Sequence, residues 1–189
     1  MGTHHDRHWI LKLPTVRPPR RCTECGTPQQ LIHSTIDYWE SGLDNVQLVD
    51  APVWECGNGH QEVEIPNADQ LHRLLVNLLI RKRFVLTGSE IRFLRKELAM
   101  SGKVFARQLG MTAEHLSRLE TGRREITSTT DLLVRLVVGW ELTRRRQIEF
   151  PVDLQPFVAS PDAGQDVGNH RVQHRNDAPA DQQWVSVSV

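Results

Sequence analysis

The sequence is poor in the features that assign a protein quickly. It has no net charge, since 23 Lys and Arg balance 23 Asp and Glu over 189 residues. Taken whole, that balance excludes a uniformly basic nucleic-acid binder and a uniformly acidic decoy. It has three cysteines, an odd number and too few for a closed disulfide framework. No apolar run approaches the roughly 18 residues of a membrane span. Met1 to Trp9 is polar and His-rich, without the apolar stretch of a secretory signal. The expectation is a cytoplasmic chain with no membrane role, in which closely spaced cysteines are metal ligands rather than disulfide partners.

What the sequence does hold is unevenly spread. Residues 1–19 sum to +2, 20–70 to −7, 71–79 to +1, 80–149 to +7 and 150–189 to −3. An acidic module is joined to a basic one, and the basic part is the one suited to phosphate.

Texture divides the chain at similar places. Residues 1–20, with Pro14, Pro18 and Pro19, read as a flexible lead-in. Residues 21–66 carry every cysteine and two strand-like runs, Leu31 to Glu40 and Val46 to Cys56, around a turn at Ser41–Asn45. Residues 67–86 read as a helical linker. Leu71, Leu74, Leu75, Leu78 and Leu79 share one face, and Asn67 or Asp69 caps it. Residues 87–149 are helical throughout, starting at Thr87-Gly88-Ser89-Glu90, with helices near 102–109, 113–121 and 128–145. The last carries apolar Leu132, Leu133, Leu136, Val137 and Trp140. Residues 150–189 are rich in Asp, Gln, Asn, Pro and Ser, lack a core pattern until the short Trp184-Val-Ser-Val-Ser-Val ending, and read as a disordered tail. The fold class expected is α+β: a small N-terminal zinc-ribbon-like β module followed by an all-α domain.

Cys22-Thr-Glu-Cys25 has C-x2-C spacing, and Cys56-Gly-Asn-Gly-His60 follows about thirty residues later. Two thiolates on one tight turn grip one ion, and the strands between the pairs bring the two turns together. Cys3His is a ligand set that zinc uses in closed, structural sites, so Cys22, Cys25, Cys56 and His60 are the candidate ligands. His33 and His72 are alternatives for the fourth position. A closed site has no open position for a reactive water, and no acid–base set stands beside it. The chain is therefore read as a non-enzyme.

The segment Gly102 to Gly122 reads as two short helices separated by Gly110-Met111-Thr112. Phe105, Leu109, Met111, Leu116 and Leu119 face inward, with Ala106 small where the helices cross. Glu114, His115, Ser117, Arg118 and Thr121 face outward. Ser117-Arg118-Leu119-Glu120-Thr121-Gly122 resembles the usual ending of a Cro/repressor-type helix-turn-helix. In that geometry the second helix enters the major groove with its N-terminal residues at base edges. Arg118 then suits guanine O6 and N7, and His115 or Ser117 reaches base edges. Glu114 either accepts from cytosine N4 or is a solvated helix-start carboxylate. Lys103, Thr112, Arg123 and Arg124 suit phosphates, and Ala113 and Thr121 complete the candidate DNA-binding surface. By the same resemblance, Glu120 supports the fold.

The order of modules, with Cys22, Cys25, Cys56, Leu86 to Lys96 and Ser117 to Gly122, resembles the MqsA (YgiT-type) antitoxin family. The resemblance covers roughly residues 20–142. It implies a structural zinc, a homodimer, a palindromic double-stranded operator and transcriptional repression. It also implies a toxin partner, typically an RNase, neutralised by the zinc module, with autoregulation of the operon. The alternative is a stand-alone zinc-containing transcriptional regulator with no toxin partner. Three features depart from the family: the Cys56/His60 pair, Glu114 in place of an amide, and the polar tail.

Overall fold

The computed structural model describes residues 20–145, 170–175 and 184–187. The lead-in and most of the tail therefore lie outside the described residues.

Two long strands form first, β1 (Gln29–Asp37) and β2 (Val46–Cys56), paired antiparallel with Gln29 opposite Cys56 and Asp37 opposite Gln47. β3 (Gln61–Val63) then pairs antiparallel with the far end of β2. Val46, Leu48, Ala51 and Val53 of β2 are buried, which fixes the register, because a one-residue slip would turn this apolar set outward. The turn between β1 and β2 holds a single 3-10 turn, Trp39–Ser41, closed by Gly42 at φ 74°.

Five helices follow: α1 (Ala68–Arg81), α2 (Gly88–Glu97), α3 (Gly102–Gln108), α4 (Ala113–Glu120) and α5 (Ser128–Arg144). α2 starts with a reciprocal capping box: Thr87 accepts from the Glu90 N–H, and Glu90 accepts from the Thr87 N–H. Ser101, Thr112 and Thr127 cap α3, α4 and α5 through their side-chain oxygens. Asn67 does precede α1, but in the left-handed region and with no capping bond from its side chain.

Three helices end in the same six-residue motif. After α3 the Gly110 N–H bonds the Arg107 carbonyl and the Met111 N–H bonds the Ala106 carbonyl. After α4, Gly122 and Arg123 bond Leu119 and Arg118 likewise. After α2 the same bonds run from Ala99 and Met100 to Lys96 and Arg95, but the left-handed residue is Ala99, φ 52°. Glycine would carry that conformation without strain.

One buried cluster joins both ends of the described chain, running from Tyr38, Leu43, Val46 and Leu48 on the sheet side through α1 to Ile91, Leu94, Phe105 and Leu116 of the helical domain. α1 forms the middle of it with Leu71, Leu75, Val76, Leu79 and Ile80. Polar ties reinforce the junction. The Tyr38 hydroxyl bonds His72 Nε2 at 2.9 Å, and His72 Nδ1 bonds Glu97 at 2.9 Å, linking the sheet, α1 and α2. Arg135 of α5 is buried and donates to both Asp131 oxygens and to the carbonyls of Leu79, Ile80, Lys82 and Phe84. Asp131 in turn accepts the Leu86 N–H at 2.8 Å.

The reading of 150–189 as disordered is corrected at two segments. β4 (His170–His174) pairs parallel with Val46–Val49 of β2, and β5 (Trp184–Val187) pairs antiparallel with β4. The only hint in the sequence was the patterned ending from Trp184, because the anchors are few. Val172 and Trp184 are buried, Trp184 donates through its indole to the Pro66 carbonyl at 2.6 Å, and its backbone exchanges two bonds with the Gln70 side chain. The β module is thus a five-stranded sheet completed from far along the chain. The α+β class holds. Among the described residues no helix is long and apolar enough to cross a membrane.

Candidate metal centre and nucleic-acid interface

Two tight turns build the first site. In one, the Gly26 N–H bonds the Cys22 carbonyl and the Cys22 N–H bonds the Thr27 carbonyl, both at 2.9 Å. Gly26 sits at φ 72°, which lets the chain double back beneath the two sulfurs. In the other, the Gly59 N–H bonds the Cys56 carbonyl and the Cys56 N–H bonds the His60 carbonyl. Pairing of Gln29 with Cys56 across β1 and β2 sets the turns face to face.

The ligand atoms of Cys22, Cys25, Cys56 and His60 all lie within 4.8 Å of one another. His60 Nδ1 is 3.6 Å from Cys22 Sγ, 3.4 Å from Cys25 Sγ and 3.6 Å from Cys56 Sγ, and the Cys25 and Cys56 sulfurs are 3.7 Å apart. A tetrahedral ion with M–S of about 2.3 Å and M–N of about 2.05 Å needs S···S edges near 3.8 Å and S···N edges near 3.6 Å. The three S···N edges and the Cys25–Cys56 edge match that tetrahedron, and the two remaining edges, from the Cys22 sulfur to the other sulfurs, are no longer than 4.8 Å. His33 and His72 are placed elsewhere: His33 lies on exposed β1 opposite Pro52, and His72 is engaged with Tyr38 and Glu97.

The electrostatics suit a cation. The Thr27 side chain and backbone hydrogen-bond the Cys25 sulfur and bring its pKa down to about 5 against the effect of burial, with His60 and Asn58 adding to the fall. Burial opposes ionisation of Cys56, yet bonds from Thr27 and from the Asn58 and His60 backbones bring it below the ordinary thiol value. Burial holds Cys22 above that value. Cys25 raises His60. Glu24 lies at ion-pair distance, 3.4 Å, from His60 Nε2, while Nδ1 is the nitrogen that faces the sulfurs.

Glu62 is the residue that sequence reading missed. It accepts the Thr23 N–H at 3.1 Å and the Thr23 hydroxyl at 2.9 Å, and it pairs with Arg20 at 2.7 Å. The Thr23 N–H, then its hydroxyl, hold the Glu62 carboxyl below the usual range. It pins the first turn to β3, a contact across 39 residues that no local motif announces.

The second site is the face of α3 and α4. Phe105, Ala106, Leu109, Leu116 and Leu119 are buried, and Met111 packs against them. Lys103, Thr112, Ala113, Glu114, Ser117, Arg118, Thr121, Arg123 and Arg124 are exposed, and His115 is half-buried. Glu114 Oε1 accepts from Arg118 Nη2 at 2.6 Å along one helix face. Glu120 is buried and takes a two-point bond from Arg95 of α2, at 2.6 and 2.9 Å. Gly88 lets the start of α2 approach α4, since a Cβ there would meet the Leu119 carbonyl oxygen at 2.4 Å.

A helix-turn-helix family model matches residues 91–130, from within α2 to the first turn of α5. Neither the curated proteins nor the solved structures gave a match. The matched domain is of the Cro/C1 type, and it supports a DNA-binding transcriptional regulator that binds double-stranded DNA.

Proposed function

We propose that this chain is a sequence-specific transcriptional repressor of the MqsA-like antitoxin type, with one structural zinc. The observation that carries the DNA reading is α4. It is capped at its start by Thr112, buried on one side by Leu116 and Leu119, and exposed on the other at Glu114, Ser117 and Arg118. That is the arrangement of a groove-reading helix. Arg118 reads guanine, His115 and Ser117 reach neighbouring base edges, and Ala113 and Thr121 lie along the same surface. Lys103, Thr112, Arg123 and Arg124 meet phosphates. Zinc is favoured by the three-sulfur, one-imidazole set and its tetrahedral edges, and it serves to lock the two turns.

The operator is a palindrome read by a homodimer. Support comes from α5, where Leu132, Leu136 and Val137 are only half-buried and Trp140 is 70% exposed. The acidic β module, −7 over residues 20–70, suits a basic toxin such as an RNase. The stand-alone regulator keeps everything but that partner, and co-purification with a basic protein encoded beside this one separates the two.

The test is direct. Arg118→Ala should weaken binding to a selected operator by about 1–3 kcal/mol and relax its base preference. Affinity should fall steeply with added salt, because the release of condensed counterions gains less entropy in a saltier solution. Equal binding of wild type and variant to operator and scrambled duplex would remove the readout. A monomeric mass on the operator would remove the dimer.

A further inference from the structure

The Glu114–Arg118 pair departs from what a groove-facing surface ordinarily needs. A carboxylate at the front of a reading helix repels phosphate, yet here it sits in the first turn of α4. It accepts from Arg118 at 2.6 Å although both side chains are more than half exposed. This inference rests on the DNA-reading role of α4 given above. We propose that Glu114 is a positioning residue for Arg118, and that the two together read a guanine next to a cytosine.

The chemistry runs as follows. A guanidinium has five N–H donors, and one of those on Nη2 goes to Glu114. The remaining donors include the parallel pair that matches guanine O6 and N7. A free arginine on an exposed helix samples many rotamers, whereas one paired at i+4 with a carboxylate is biased toward presenting its fork in one direction. The carboxylate itself offers only acceptors. It is repelled by guanine O6 and N7 and by thymine O4, and it is satisfied by an exocyclic amine. Adenine sets its N7 acceptor beside that amine, while the cytosine edge presents the amine alone. Cytosine is therefore the neighbour that suits Glu114. The same negative charge lowers affinity for arbitrary duplex, so the pair exchanges general affinity for selectivity.

The experiment is selection from a randomised duplex pool with the full-length, metal-loaded protein, followed by sequencing. Wild type, Glu114→Gln and Arg118→Ala are compared, with thermal melts to show that each variant folds. Wild type should enrich a guanine with an adjacent cytosine in each half-site. Arg118→Ala should lose the guanine. Glu114→Gln should lose at least about fivefold of the cytosine preference, weaken the guanine preference, and bind random duplex more tightly at low salt. A purely structural Glu114 would leave the selected sequence unchanged, and an unchanged sequence in Glu114→Gln overturns the proposal. A wild type that enriches no sequence overturns the DNA reading itself, and this inference with it.

Discussion

Arg135 offers a sharp test of how the two halves are joined. It is 2% exposed, and its guanidinium faces six acceptors: two oxygens of Asp131 and the carbonyls of Leu79, Ile80, Lys82 and Phe84. Those carbonyls form the end of α1 and the segment leading to α2, so one side chain of α5 closes the junction between the sheet-bound helix and the helix-turn-helix. Arg135→Met keeps the apolar stem and removes every donor. Asp131 is then left buried as an uncompensated charge, with the Leu86 N–H still donating to it. Removing one partner of a buried pair costs about 3–5 kcal/mol. For a chain of this size that corresponds to a fall in Tm of about 6–20 °C. Urea titration and thermal melting followed by circular dichroism read both quantities. A second substitution, Asp131→Asn, should return part of the loss, because the unpaired charge goes with it. A loss under about 1 kcal/mol in Arg135→Met, or a double variant no better than the single, would refute the latch.

Two backbone substitutions should act with opposite sign. Gly88→Ala places a Cβ 2.4 Å from the Leu119 carbonyl and should destabilise by about 1–3 kcal/mol, while Ala99→Gly relieves the left-handed residue at φ 52° and should stabilise by up to about 1 kcal/mol; urea midpoints check both. Metal analysis should give one zinc per chain, and chelation should expose the amides of Gly26, Cys56 and Gly59 to hydrogen exchange while those of α2 to α4 stay protected; less than half an equivalent, with exchange unchanged by chelator, would sink the site. Deleting residues 151–189 should lower Tm as well as alter charge, because Val172 and Trp184 leave the core; an unchanged melt would show that β4 and β5 contribute nothing to stability.

The sequence made some of this legible for physical reasons. The starts of α2, α3 and α4 were readable because Thr87, Ser101 and Thr112 carry their own capping oxygen. The ends of α3 and α4 were readable because Gly110 and Gly122 are the residues that the left-handed position favours. The end of α2 was not, since Ala99 is a strong helix former held in that conformation by its surroundings, with Arg95 bonding the Met100 carbonyl. The three cysteines show in spacing alone, whereas His60 shared the fourth position with His33 and His72 until the fold placed it beside the sulfurs. Glu62 does not show there, because its contact with Thr23 exists only once β3 has paired. The strands β4 and β5 escaped because a single buried Val172 and one Trp184 carry them, too little for a periodic pattern. On α5 the apolar residues outnumber the buried ones. Val134, Val138 and Leu142 meet the core, while Leu132, Leu136 and Trp140 lie away from it.

The zero net charge is resolved by this arrangement rather than by either half. Segments of −7 and +7 stand on one continuous apolar core, joined through α1, the Tyr38–His72–Glu97 bonds and Arg135. At physiological ionic strength, exposed charges more than about 8 Å apart are largely screened from each other. A phosphate placed at α4 would therefore respond to the charges close to it on the helical face and not to the sum over the chain. The same screening keeps the acidic sheet from weakening the helical face by charge alone. Any coupling between the two faces must then pass through contacts, and the polar bonds from Tyr38 and Arg135 to the helices on either side of the junction are where such coupling has a physical path.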